Sequence, residues 1–164
     1  MIFDGHSDLL YDVTRRRLRG ECRVLEQWHL DRLRRGGVEG LVLSLWTSTA
    51  HGETFWEEPP WADPADAAGR TGKMLACARA ELAECGAVRL VRTAAQAEAV
   101  RSQGLLYAFL GVEGMAAIGE DPAGVDRYAD AGARMGMLTW NEENQLAAGF
   151  GLNELVVYSD SCSV

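Results

Sequence analysis

Apolar runs of strand length alternate with amphipathic stretches along most of the chain. Residues 1–8, opening on Ile2-Phe3, read as a short buried strand. Asp31 is placed to cap a short helix through Arg35, ended by Gly36-Gly37. Val38-Glu39-Gly40-Leu41-Val42-Leu43-Ser44-Leu45-Trp46 follows, an apolar run bounded by glycines that predicts a strand. Residues 47–62, with Trp56, Pro59, Pro60 and Trp61, read as a long polar and aromatic loop. Loops of that length inside compact domains are more often functional than passive.

Asp63-Pro64 pairs an N-cap with proline at the first helical position. Ala68, Leu75, Ala78, Leu82 and Cys85 then form one apolar stripe, and Gly86 closes that helix. Val88 to Val91 is a brief strand-like run. Thr93 and Gln96 make a capping box for a helix reaching Gln103, closed by Gly104. Leu105 to Val112 is the strongest strand in the chain. A further helix starts at Asp121-Pro122 and runs towards Ala131, and Met135 to Thr139 reads as the next strand. Continuously apolar strands alternating with amphipathic helices predict the α/β class, a parallel sheet covered by helices.

Composition narrows the function classes. With 164 residues, one domain is expected, and 48% hydrophobic against 24% charged residues argues for a globular chain over a disordered one. A net charge of −8 disfavours nucleic acid and anionic membranes as partners, because both are polyanions. The arginines at Arg15-Arg16-Arg17 and at Arg32, Arg34 and Arg35 sit among acidic residues and read as solvated helix faces. No apolar run is long enough to span a bilayer, and the amino terminus carries Asp4, His6 and Asp8 where a secretory signal would be basic and then apolar. Cys22, Cys77, Cys85 and Cys162 lack C-x-x-C spacing, so reduced structural cysteines and a cytoplasmic location are expected.

Candidate chemistry begins at Asp4-Gly5-His6-Ser7-Asp8. On a strand, His6 and Asp8 leave on the same side, and an imidazole beside a carboxylate suits a zinc-type cation. The competing reading is a strand end with an incidental histidine and a turn-forming aspartate. Glu113 follows the apolar run 105–112; a carboxylate at the mouth of a buried strand is costly unless a cation or partner balances it. Its competing reading is the first turn of a helix after Gly114. His29-Leu30-Asp31 repeats the His-x-Asp spacing but opens a helix, which favours capping and surface packing. His51 lies in the long loop, in reach of a substrate or simply solvated.

Taken in order, Asp4-Gly5-His6-Ser7-Asp8-Leu9, Val112-Glu113-Gly114 and Leu138-Thr139-Trp140-Asn141-Glu142-Glu143-Asn144 resemble the membrane dipeptidase (renal dipeptidase, peptidase M19) family. That family is a branch of the metal-dependent amidohydrolase-like barrels. The resemblance implies a two-zinc site in which His6 and Asp8 hold one ion and Glu113 bridges both. A water between the ions would attack the peptide carbonyl of a dipeptide. Trp140 stands where much of the family has a substrate-contacting histidine, so Trp140 and Asn141 are candidate substrate contacts. Ser7 stands where the family often has Asn.

The family's further zinc ligands and its acidic catalytic residue come after the position of Glu113, whereas His29 and His51 precede it. At most one zinc is therefore expected here, and no catalytic residue is assigned. A closed (β/α)8 TIM barrel needs about 250 residues, and the predicted strands make about half of one. Residues 1–155 are expected to be the amino-terminal half of such a barrel, still family-like at Gly151 to Leu155. Residues 156–164 are expected to be a non-family, poorly ordered tail. The resulting expectation is a truncated zinc dipeptidase, inactive as an isolated chain. Two alternatives stand beside it: a non-catalytic module self-associating through exposed half-barrel edges, and another amidohydrolase-type metal hydrolase, for which more histidines would be expected.

Overall fold

The computed structural model describes residues 2–46, 64–119, 121–140 and 143–149. Five strands form one parallel sheet: β1 (Ile2–Ser7), β2 (Val38–Trp46), β3 (Val88–Leu90), β4 (Leu106–Glu113) and β5 (Ala133–Met137). The helices are α1 (Leu9–Leu18), α2 (Leu30–Arg35), α3 (Pro64–Glu84), α4 (Ala94–Arg101) and α5 (Ala123–Ala131). The long loop at 47–62, Asp63 and the closing segment 156–164 lie outside the described residues.

The strand order is β1-β2-β4, with β3 and β5 both against β4. β3 pairs with the beginning of β4 (Val88 opposite Leu106), and β5 with its end (Glu113 opposite Met137). β4 is thus central, and its alternation sorts side chains onto two faces. Leu106, Ala108, Leu110 and Val112 join Leu41, Leu43 and Leu45 of β2 in the main core, with Leu10 and Val13 of α1 and Met74 and Ala78 of α3. Tyr107 packs on the opposite face with Ala97 of α4 and Val91.

The handedness rule accounts for the odd position of α4. The chain steps one way across the sheet from β1 to β2 and from β4 to β5, but steps back from β3 to β4. A right-handed crossover then places the connecting helix on the other face. The same face carries Phe3, stacked on Tyr107 with ring centroids 6.0 Å apart.

Most elements match the sequence pattern, including the Thr93 cap, whose hydroxyl accepts from Gln96 N–H at 3.2 Å. Gln96 Oε1 reaches back to the N–H of Arg92, one residue before the cap, at 2.7 Å. Gly132, at φ +111°, ends α5 in the left-handed region that glycine enters without strain.

Three expectations need correction. β1 is an edge strand, with Ile2 and Phe3 exposed, because among the described residues β2 alone pairs with it. Asp31 caps nothing: α2 begins at Leu30 and continues a π-helical turn at Leu25–His29, so the chain is already helical upstream. Finally, α1 occupies residues that carry only a sparse apolar signal, with Leu10, Val13 and Thr14 buried. Of its arginines, Arg15 is solvated, whereas Arg16 pairs with Asp12 (2.8 Å) and Arg17 with Glu81 (2.8 Å).

The Arg17 cluster joins α1 to α3. Its guanidinium also meets both Glu84 oxygens, at 2.7 and 2.8 Å, and Arg23 N–H donates to Glu84 at 3.1 Å. The Arg17 side chain, and then the Arg23 N–H, hold the Glu84 carboxyl at about 2, below its ordinary 4.5. A carboxyl depressed in the folded state contributes stability that is fully present above the unfolded value and disappears as pH falls to the folded one. Thermal melting is therefore expected to weaken between about pH 4.5 and about pH 2, and the Glu84→Gln variant to show a shallower loss across that window. Equal acid slopes for the two proteins would remove Glu84 from the account.

Cys22, Cys77 and Cys85 are free thiols. Burial pushes the Cys77 and Cys85 thiols above their ordinary values, as expected of inert structural cysteines. Cys162 lies outside the described residues, among which no helix is long and apolar enough to cross a membrane.

Candidate metal centre

Three side chains from separate elements meet at the carboxyl end of the sheet. In β1 the pairing to β2 slips between Asp4 and Ser7, a bulge of the kind that re-aims side chains near functional sites. The His6 N–H donates to Asp4 Oδ1 at 3.3 Å within this irregular turn of strand. Asp8 occupies the N-cap position of α1 but makes no side-chain cap. Its carboxylate faces His6 instead, with Oδ1 at 3.2 Å from Nε2. Leaving a helix cap unused gives up about 1 kcal/mol, and such local departures mark functional sites.

Glu113 is the last residue of β4. Gly114, at φ +71°, then turns the chain into a 3-10 turn at Met115–Ile118, so the carboxylate stays at the strand mouth and does not enter a helix. Backbone bonds to the end of β5 steady this corner: Gly114 N–H donates to Met137 O (3.0 Å) and Met115 N–H to Leu138 O (2.9 Å). Glu113 Oε2 lies 3.4 Å from His6 Nε2. One ligand atom from each of His6, Asp8 and Glu113 can be chosen so that all lie within 4.8 Å of one another, close enough to share one cation.

The strands carrying these groups are not adjacent. β2 runs between β1 and β4, and its Ser44 fills the gap, with Oγ at 3.1 Å from His6 Nδ1. Ser44 was not singled out from sequence. Its signal was a hydroxyl inside the apolar run Leu41–Leu45, on the sheet face that Glu113 shares by register.

The side chains of His6 and Asp8 are 49% and 63% exposed while that of Glu113 is 13% exposed, so the group has a buried floor and an open front. Burial pushes the Glu113 carboxyl above its ordinary range; His6 partly offsets this and Asp8 adds to it. A cation would reverse that penalty. One imidazole and two carboxylates are donors that suit zinc, and the half-buried Glu113 carboxylate has no fixed cation within the group to balance it. The donor set therefore fits a divalent metal.

The other candidates lie elsewhere. His29 Nε2 bonds Asp12 at 2.9 Å, between the π-helical turn and α1, in keeping with a packing role. Trp140 is exposed just beyond β5, while Asn141 and His51 lie outside the described residues.

The family model for membrane dipeptidase, peptidase family M19, matches residues 1–161. The chain belongs to the membrane dipeptidase family. Among solved structures, it resembles dipeptidase AC, a family M19 metallopeptidase, with a TM-score of 0.71 at 23% identity, over 87% of this chain and 44% of that one. A Rhodobacter sphaeroides metallopeptidase liganded with a phosphinate mimic of the dipeptide L-Ala-D-Ala gives 0.69 at 23% identity, over 87% and 46%. An amidohydrolase from Pseudomonas aeruginosa gives 0.54 at 11% identity, over 89% and 34%. A comparison with curated proteins finds no match. The architecture is thus that of a partial TIM-type barrel of the M19 dipeptidases, and the chain spans less than half the length of these solved structures.

Proposed function

We propose that this chain carries the first-metal half of a zinc-dependent dipeptidase centre, with His6, Asp8 and Glu113 as ligands and a dipeptide as substrate. The convergence of these three groups within 4.8 Å at the carboxyl ends of the strands carries the reading, and family membership supports the substrate class. When bound, zinc supplies a Lewis acid that polarises a peptide carbonyl and lowers the pKa of water. His6 contributes a neutral nitrogen, while Asp8 and Glu113 balance the positive charge. Glu113 would hold the ion at the less exposed end of the group, and the exposed His6–Asp8 edge leaves room for substrate. Trp140 and Asn141, just past β5, are proposed to contact that substrate. Three ligands hold one ion, so the second zinc of the intact family site and the acidic catalytic group are not assigned to the described residues.

A second reading is favoured by the exposed apolar groups at and near the sheet edges: Ile2 and Phe3 on β1, and Met135 and Met137 on β5. Such a surface suits a non-catalytic module that associates with itself.

Calorimetric titration of the purified chain is expected to give one zinc per chain. Release of free amino acid from a panel of dipeptides is expected to stay at background with zinc present. Walls that exclude water and orient substrate can account for about 7–11 kcal/mol of barrier lowering, and the described residues leave the group open on its His6–Asp8 side. Robust turnover abolished by His6→Ala would instead mean a complete site built by self-association.

A further inference from the structure

Ser44 is buried (3% exposed) in the middle of β2, between the two strands that carry the candidate ligands. Its hydroxyl lies 3.1 Å from His6 Nδ1. The other ring nitrogen, Nε2, faces Asp8 at 3.2 Å and Glu113 at 3.4 Å. A neutral imidazole carries one N–H, and its two nitrogens then play opposite roles. With no cation bound, two carboxylate oxygens beside Nε2 call for the proton there, which leaves Nδ1 as an acceptor that needs a donor. With a cation on Nε2 the proton belongs on Nδ1, which then needs an acceptor. A carbonyl or carboxylate at this position could serve only the second state. A hydroxyl serves both, because it donates or accepts by rotating about its C–O bond.

We propose that Ser44 is a positioning residue that holds the His6 ring in both tautomers, letting the neutral imidazole move its one proton from Nε2 to Nδ1 as a metal arrives. The proposal rests on the metal-centre reading above. It assigns to β2, which supplies no ligand, the task of setting which nitrogen of His6 is presented to the ion.

Two measurements test it on the whole chain. In zinc titrations, Ser44→Ala is expected to weaken binding by about 10- to 100-fold, the usual effect of removing a ligand's outer partner. The variant should still fold, its metal-free melting temperature falling by no more than the loss of one hydrogen bond explains. Ser44→Thr, which keeps the hydroxyl, is expected to retain most of the affinity. Nitrogen-15 NMR of the His6 ring in the native chain is expected to show the proton on Nε2 without metal and on Nδ1 with zinc, whether or not either variant folds. Native zinc affinity in Ser44→Ala would overturn the proposal while leaving the metal centre standing. The same tautomer with and without zinc, or zinc on Nδ1, would overturn it too. Failure of the native chain to bind zinc would overturn both the proposal and the reading beneath it.

Discussion

Replacing Arg17 with alanine is expected to destabilise the fold by about 3–5 kcal/mol, the usual cost of stranding one member of a buried ion pair. The partner left behind is Glu81, whose side chain is fully buried in α3. Its two oxygens have separate duties: Oε2 accepts from Arg17 at 2.8 Å, and Oε1 accepts from Leu25 N–H at 2.7 Å, where the π-helical turn begins. Removing Arg17 leaves that carboxylate, among the described residues, with the Leu25 N–H as donor and without its paired guanidinium. Domains are stable by only about 5–15 kcal/mol, so the variant should lose a large share of its margin. Urea unfolding should show a lower midpoint with an unchanged slope. Adding Glu81→Gln to the variant should recover part of the loss, since a neutral amide can still accept from Leu25 without a buried charge. No recovery in the double variant would mean that lost packing of the Arg17 side chain, and not the stranded charge, sets the cost.

Glu113→Gln is expected to act in opposite directions on binding and on stability. Burial already pushes the Glu113 carboxyl upward, and Asp8 adds to the effect. In the metal-free protein an ionised Glu113 therefore works against folding at neutral pH. The sign follows from linkage: when the folded state holds a proton more tightly than the unfolded one, stability falls as pH rises through that range. The amide has no charge to desolvate, so the metal-free variant should melt higher than the native chain. Zinc affinity should fall by at least about 100-fold, beyond the effect of losing an outer-shell partner. Calorimetry and melting curves with and without zinc check both halves. A variant that binds zinc normally would exclude Glu113 as a ligand.

Much of the architecture was legible along the chain because its cues are local. β2 and β4 announce themselves as unbroken apolar runs, since each is covered on both sides by other strands and main-core contacts. Thr93 and Gly132 mark helix ends through backbone hydrogen bonding and left-handed geometry within a few residues. By contrast, α1 carries only a sparse apolar pattern and its arginines read as a solvated face, because the carboxylates that take Arg17, Glu81 and Glu84, lie far away in sequence. The same cause displaced the expected start of α2: Leu25 N–H is taken by Glu81, so helical backbone begins earlier than Asp31 suggests.

The site divides along the same line. Residue types and spacing brought out His6, Asp8 and Glu113 as candidates, because an imidazole and carboxylates at strand mouths are expensive without a shared purpose. Their joint role as metal ligands is what the family resemblance implied. That the chain is α/β, with parallel strands and helices between them, was likewise determined by periodicity and caps. Only the tertiary structure decided that β2 intervenes between the ligand-bearing strands, that Ser44 therefore backs His6, and that Asp8 leaves its helix uncapped to face the imidazole. Only the tertiary structure put α4 on the opposite sheet face, where the backward step from β3 to β4 requires it. The physical reason is one of range. Periodicity and capping act within a few residues, whereas strand order and the partners of a buried hydroxyl or carboxylate are settled by packing between segments that the sequence holds far apart.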